Sequence, residues 1–223
     1  MTRKKPSKAI LDGDVIAYLT AFWVETENGS GISQKIKSLM KKWTPKGITD
    51  ITVALSCSRK DNYRRDFWPK YKANRDALYA PEFLGEVREE LRAGYNTEEL
   101  PRLEADDILG IYTSSNKAIS VTIDKDLKCI PGWHFNPDKD KKLRYISKKA
   151  AKKFFYIQWM TGDSTDGIPG LWRIGSKKAE KMLDEWPERD WDKNILELYA
   201  SEKHRVREPG DLDCFESALA MAR

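Results

Sequence analysis

Three short, mostly apolar runs, each ending at a polar or acidic residue, set the tightest limit on how this chain can fold. They are Lys8–Leu11 before Asp12, Ile51–Leu55 before Ser56, and Ala118–Ile123 before Asp124. A strand covered on both faces reads as a continuous apolar run rather than an alternating one. Long helix-like stretches separate the runs, and parallel strands need such crossovers. The expected class is therefore α/β, with a mostly parallel central sheet flanked by helices. In such sheets ligands bind beyond the carboxyl ends of the strands. Asp12, Ser56 and Asp124 all fall on that edge.

The intervening segments carry helical periodicity. After Asp14, the residues Val15, Ile16, Tyr18, Leu19 and Phe22 form the predicted buried side of a first helix. Ile36, Leu39, Met40 and Trp43 repeat at helical spacing over Ser33–Trp43, with lysines opposite. Asn28–Gly31 is a turn, Pro81–Ala93 a helix, and Leu143–Ile146 an edge strand. A helix over Lys148–Met160, a glycine-rich loop over Thr161–Gly175, a helix over Ser176–Asp184 and a last one over Asp211–Arg223 follow. Residues 1–150 are thus expected to form an α/β core. Residues 151–223 form a helical region packed with it as one compact unit.

Composition excludes several classes of function. The three cysteines stand far apart and in no Cys-x-x-Cys pair, which argues against a disulfide framework and for a reducing compartment. The two histidines have no zinc spacing, and no Gly-x-Ser-x-Gly elbow accompanies them. No apolar run reaches membrane-spanning length, and the basic N-terminus lacks the apolar stretch of a secretory signal. The net charge of +5 is modest, but bases gather at residues 3–8, 35–46, 59–75, 139–153 and 173–181, with acids between them. Basic flanks around acidic centres suit a polyanion held over metal ions.

The acids sit at recurring places. Glu104, Asp106 and Asp107 open an apolar helix containing Ile108, Leu109, Ile111 and Tyr112. Acids favour a helix N-terminus on dipole grounds alone. Asp12 and Asp14, Asp124 and Asp126, and Asp163 and Asp166 add further pairs, most of them after an apolar segment. Together they suit divalent cations held by carboxylate oxygen. Glu104 and Asp107 share one helix face; Asp106 points to another side. Two divalent ions roughly 3.5–4 Å apart can activate water and stabilise a leaving oxygen, as phosphodiester hydrolysis requires.

Five motifs occur in the order found in the flap endonuclease family, which includes the 5′-nuclease domain of bacterial DNA polymerase I and phage 5′-to-3′ exonucleases. They are Asp12-Gly13, Lys70-Tyr71-Lys72-Ala73-Asn74-Arg75, Glu104-Ala105-Asp106-Asp107, Asp124-Lys125-Asp126, and the run from Gly162 to Gly170. The resemblance spans about residues 8–185, and the separate small chain is most similar to a phage exonuclease. It implies a PIN-like 5′-nuclease fold with a helix–three-turn–helix module over 154–184, and a site for two Mg²⁺ or Mn²⁺ ions. Asp12, Glu104, Asp106 and Asp107 match the residues around one ion. Asp124, Asp126, Asp163 and Asp166 match those around the other. Lys72 and Arg75 match the basic pair at the scissile phosphate. Tyr18, Lys70 and Tyr71 are nucleic-acid-binding candidates, as are Gly170, Gly175, Ser176, Lys177 and Lys178 of the module, whose loop in the family often holds K⁺.

The implied activity is 5′-to-3′ cleavage of duplex DNA at a 5′ end, flap or nick, with RNA–DNA hybrids as a further substrate. The implied setting is phage replication or recombination in a bacterial cytoplasm, away from membranes. Two departures stand out. Ser56 occupies a position where the family commonly has an aspartate, and Asp14 is an extra acid that either compensates or caps a helix. Residues 76–103 are too few for a long helical arch. A branched-DNA binding protein with weakened catalysis and a PIN-like ribonuclease are the rival readings. The glycine-rich module speaks against the second.

Overall fold

The computed structural model describes residues 4–27, 29–67, 71–72, 79–165 and 168–201. Its elements run β1 (Lys8–Asp12), α1 (Gly13–Thr26), α2 (Ile32–Trp43), β2 (Asp50–Leu55), α3 (Arg64–Phe67), α4 (Leu84–Gly94), β3 (Thr97–Glu99), α5 (Ala105–Ser114), β4 (Ile119–Val121), β5 (Gly132–Phe135), β6 (Arg144–Ile146), α6 (Lys148–Thr161), β7 (Gly162–Asp163), β8 (Ile168–Pro169), α7 (Ser176–Glu185) and α8 (Trp191–Ala200). By contacts they fall into two units, residues 1–62 with 79–148 and residues 63–78 with 149–223. The basic, aromatic segment after residue 62 thus groups with the helical unit. Among the described residues, no helix is long and apolar enough to cross a membrane.

The first unit is built on a six-stranded sheet in the order β3-β2-β1-β4-β5-β6, parallel except for the last pair. The register sets Ala9 beside Ile51 and Ile119, and Leu11 beside Val53 and Val121. Alternation then sorts side chains between two layers. Ala9, Leu11, Val53, Leu55, Ile119 and Val121 pack with Ile16 and Ala17 of α1, Ile36 and Trp43 of α2, and Val87 and Leu91 of α4. Ile10 and Ala54 face the other way, onto Ala105, Ile108 and Leu109 of α5. The central strands are continuous apolar runs because both faces are covered.

Helix α1 departs from its expected orientation. Its buried residues are Gly13, Ile16, Ala17, Thr20, Ala21 and Val24, whereas Tyr18, Leu19 and Phe22 are 36%, 39% and 47% exposed. The reason is close approach. A Cβ on Gly13 would lie 2.4 Å from the Ala54 carbonyl oxygen and 2.5 Å from Val53 Cγ1. A stripe of small residues lets α1 press onto the sheet and leaves the larger side chains outside. β3 and β5 have no counterpart in the expected elements. β3 is Thr-Glu-Glu, with no apolar signal, and exists through pairing with β2.

In the second unit, β7 and β8 form a short antiparallel pair within the expected glycine-rich loop. Tyr156 and Met160 of α6, Leu171, Ile174, Ala179 and Leu183 form the core with α8, a helix absent from the expected set although Trp191, Ile195 and Tyr199 recur every four residues. Gly170 is required by packing, since a Cβ there would sit 2.1 Å from the Thr161 carbonyl. The helix expected over 211–223 lies outside the described residues.

Candidate active site

Asp12 is where the first unit concentrates its chemistry. It is the last residue of β1 and the N-cap of α1, accepting a hydrogen bond from Val15 N to Oδ1 at 3.1 Å. Asp14 does not cap this helix. The Thr122 hydroxyl donates to Asp12 Oδ2 at 2.7 Å and accepts from Asp124 N at 3.0 Å. Asp124 Oδ1 in turn accepts from Asp126 N at 2.8 Å. One threonine at the end of β4 therefore links the acids at the ends of two neighbouring parallel strands. Its signal in the sequence is a hydroxyl interrupting an apolar run one residue after Val121.

The N-terminus of α5 is fastened to the same edge. Glu104 and Asp107 form a capping box, with Glu104 N donating to Asp107 Oδ2 at 2.8 Å. The Ser56 hydroxyl accepts from Ala105 N at 2.8 Å. Ser56 therefore holds the end of β2 to the start of α5. Asp14 is paired with Arg88 of α4 at 2.6 Å, and Asp14 Oδ1 also accepts from Ser56 N at 3.3 Å. The other arm of Arg88 donates to the Ser56 carbonyl at 2.5 Å. The extra acid and the serine belong to one cluster joining α1, β2, α4 and α5. Arg88 was not legible as a site residue, because it stands on a helix rich in alternating charge.

Electrostatics show which acids share a neighbourhood. Asp12 is 2% exposed, and its carboxyl is pushed up to about 7, first by burial and then by the Asp14 charge, with Asp124 adding to it. The bonds from Thr122 and Val15 pull the other way. The Cys129 thiol is pushed up to about 11 by burial and then by Asp126, Asp106 and Asp124, so these three acids act on one point. Cys57 is raised by burial and then by Glu104, with Asp107 among the smaller causes.

Among the described residues, no three acidic, histidine or cysteine side chains converge at metal-holding distances. The acids are engaged locally instead, as the bonds to Asp12, Asp107 and Asp124 show. The donor chemistry still fits a divalent cation. It is all carboxylate oxygen, and the buried Asp12 resists ionisation, the cost that a bound cation removes.

The remaining site residues belong to the second unit, apart from Tyr18. Asp163 Oδ1 accepts from Thr165 N at 2.8 Å. Lys72 Nζ lies 5.0 Å from the centre of the Tyr71 ring. Tyr71 is 4% exposed, so its ring is core and not offered to a base, contrary to expectation. Tyr18, on α1 of the first unit, is exposed beside Phe22 and available for contact. Gly175, Ser176, Lys177 and Lys178 are exposed at the start of α7. Lys70, Arg75 and Asp166 lie outside the described residues.

No family model matches the chain. In sequence it is 36% identical over 160 residues to DNA polymerase I of Rhizobium leguminosarum, covering 64% of this chain and 16% of that one. It is 31% identical over 143 residues to the exonuclease of Escherichia phage T7, covering 59% of this chain and 47% of the relative. In structure it aligns with the flap endonuclease of bacteriophage T5, solved as a pseudo-enzyme–product complex with DNA and metal ions, at a TM-score of 0.63. That alignment has 16% identity and covers 96% of this chain and 88% of the other. The chain resembles the 5′-to-3′ exonuclease and flap endonuclease family in sequence and shares its fold. It spans less than half the length of the two relatives in sequence. Within this fold, the edge that carries Asp12 and Asp124 is the carboxyl edge of the parallel strands, where α/β sheets bind their ligands.

Proposed function

We propose that the chain is a metal-dependent 5′-to-3′ deoxyribonuclease of the exonuclease and flap endonuclease type. The observation that carries this reading is the Asp12–Thr122–Asp124 network, a buried acid and a partly exposed one tied together at the ligand-binding edge of the sheet. Asp12, Glu104, Asp106, Asp107, Asp124 and Asp126 are the residues of the first unit that would hold divalent ions, Mg²⁺ or Mn²⁺. Such ions, when bound, supply an activated water and stabilise the leaving oxygen. Asp163, Asp166, Lys72 and Arg75 join this reading through the resemblance alone, as does a K⁺ ion in the loop before α7. The protein's own part is to hold the acids in position: Thr122 orients two of them, and the Ser56–Ala105 bond fixes the helix carrying three more. Lys177 and Lys178 would meet the phosphates of duplex DNA near a 5′ end, flap or nick. Such backbone contacts carry no base code, so they serve an RNA–DNA hybrid as well. The metal-bound and DNA-bound T5 neighbour and the phage T7 relative support this reading, and the setting that it implies is phage DNA replication or recombination.

Digestion of duplexes labelled at the 5′ or the 3′ end tests it. The expected result with Mg²⁺ is early release of the 5′ label in short products, while the 3′ label stays in long ones, and no cleavage in chelator. Cleavage that persists without divalent metal, or that starts from 3′ ends, refutes it. Binding without cleavage leaves the branched-DNA binding protein.

A further inference from the structure

The first unit also carries a cavity at the amino edge of its parallel strands, away from the acids. Its volume is about 250 Å³, and it opens to solvent. Lys4, Ser114, Asn116, Gly132, Tyr145 and Lys148 line it, with Thr113 behind them. Lys4 precedes β1, and Gly132 opens β5, which runs parallel to β4. Ser114 is the last residue of α5, whose first turn carries Asp106 and Asp107. That helix has ten residues, so its two ends stand about 15 Å apart.

Local structure keeps this space open. Gly132 has φ +141°, and a Cβ there would lie 2.6 Å from both Thr113 Cγ2 and the Thr113 carbonyl oxygen. The strand therefore starts flush against the end of α5, and no side chain of its own fills the floor. Asn116 follows α5 at φ +56°, and its Nδ2 donates to the Lys4 carbonyl at 3.4 Å. This bond sets the N-terminal segment at the rim. Tyr145 stands edge to face with Trp133, its partner across β5 and β6, with ring centres 5.3 Å apart. The tyrosine is thus a braced wall.

Charge selects the occupant. None of the described residues lining the cavity is acidic, and among the described residues no carboxylate pairs with Lys4 or Lys148. Elsewhere Lys42, Lys152 and Lys153 meet Asp138, Glu188 and Asp184. A cleft lined by one sign of charge concentrates ions of the other. Two ammonium groups match a phosphomonoester, which carries about −1.5 to −2 charges at neutral pH. An internal phosphate of a nucleic-acid strand carries only one. The aromatic wall suits a planar base, since every base has a face that stacks. The volume lies below the roughly 300–1,000 Å³ of sites for drug-sized ligands, so it admits one small molecule.

We propose that this cavity binds a nucleoside 5′-monophosphate, with its phosphate on Lys4 and Lys148 and its base against Tyr145. The choice of a nucleotide rests on the nuclease reading, because hydrolysis that frees a terminal nucleotide supplies this class of molecule. The cavity is then a product site apart from the metals. A bound nucleotide ties the N-terminal segment to the end of α5 and to β6, and so stabilises the first unit by mass action.

The test is calorimetric titration of the full chain with thymidine 5′-monophosphate in chelator, alongside thermal melts. Without divalent ions the acidic edge repels phosphate, so binding there does not compete. The expected result is one saturable site and a higher melting temperature, with no binding of thymidine. Inorganic phosphate should bind at least about tenfold more weakly, since it makes no contact with the ring. The double variant Lys4→Gln/Lys148→Gln should lose about tenfold or more in affinity. Its melting temperature without ligand should match wild type, because both lysines are exposed. Tyr145→Ala should bring the nucleotide down to the affinity of inorganic phosphate, and Lys177→Gln/Lys178→Gln should bind it as wild type does. No binding by the wild type would overturn the proposal, as would full affinity in the Lys4 and Lys148 variant. Equal affinity for phosphate and nucleotide would leave a bare anion site and overturn the nucleotide assignment. The titration needs no cleavage, so the two readings fail separately. A chain that cleaves 5′ ends in Mg²⁺ and binds no nucleotide loses this site alone, and one that binds the nucleotide without cleaving loses the nuclease reading alone.

Discussion

Replacing Asp12 with asparagine should make the metal-free protein more stable, not less, at neutral to alkaline pH. The Asp12 carboxyl ordinarily titrates at 3.8 and is pushed up to about 7 in the fold, by burial first and the Asp14 charge next. A group whose folded pKa lies above its unfolded value binds its proton more tightly in the fold. The stabilisation is complete below pH 3.8 and is lost as pH climbs to about 7. Above that the fold must carry a buried carboxylate. A rise of about three pH units corresponds to roughly 4 kcal/mol. Asparagine has the same shape, cannot ionise, and keeps the oxygen that accepts from Val15 N at the helix cap, while its amide NH₂ replaces the oxygen that accepts from Thr122 and gives back about 1 kcal/mol of the gain. In chelator at about pH 8, Asp12→Asn should therefore gain up to roughly 3 kcal/mol, or about 6–12 °C at the roughly 2–4 °C per kcal/mol expected for a chain of this size. The gain should shrink steadily as pH falls toward that of an ordinary carboxyl. Divalent ions should then raise the melting temperature of the wild type more than that of the variant, since only the former pairs a buried carboxylate with the cation on binding. Circular-dichroism melts across this pH range, with chelator and then with Mg²⁺, measure both effects. A variant that melts at or below wild type in chelator at pH 8 refutes the assignment of Asp12 as an unrelieved buried acid.

Two further outcomes follow from the same packing. Thr122→Val removes the hydroxyl that serves Asp12 Oδ2 and Asp124 N; it should cost about 1–3 kcal/mol in stability and about tenfold in Mn²⁺ affinity by calorimetry, with Thr122→Ser restoring both, and unchanged Mn²⁺ affinity in Thr122→Val would remove Thr122 from the site. Gly13→Ala places a Cβ 2.4 Å from a backbone oxygen that cannot turn aside, so it should cost about 1–3 kcal/mol, and a urea midpoint equal to wild type would show that α1 does not need its close seat on β2.

The departures at positions 14 and 56 resolve into one arrangement. Asp14 Oδ1 already accepts from the Ser56 backbone N. Serine there adds no second charge, and its hydroxyl and carbonyl are used by Ala105 and Arg88. Asp14 is paired with Arg88. The cluster ties the start of α5 to α1, β2 and α4.

The sequence by itself determined the layer order and the edge that carries the chemistry. Its apolar runs are long enough to mark strands buried on both faces, and Asp12, Ser56 and Asp124 follow them directly. It determined α2, whose stripe of Ile36, Leu39, Met40 and Trp43 is buried as the spacing requires. It could not orient α1, because the stripe that seats this helix is made of small residues with weak hydrophobic signal. It could not reveal β3, whose three polar residues become a strand through pairing with β2 alone. Tyr71 stands in a basic run as a nucleic-acid-binding candidate, and tertiary packing buries it. Acids can be counted in a sequence, but their state cannot. That Thr122 bridges Asp12 and Asp124, and that Arg88 pairs with Asp14, depends on contacts between residues 74 to 110 positions apart. Only the folded chain brings those hydrogen-bonding partners together and removes the water that would otherwise compete for them.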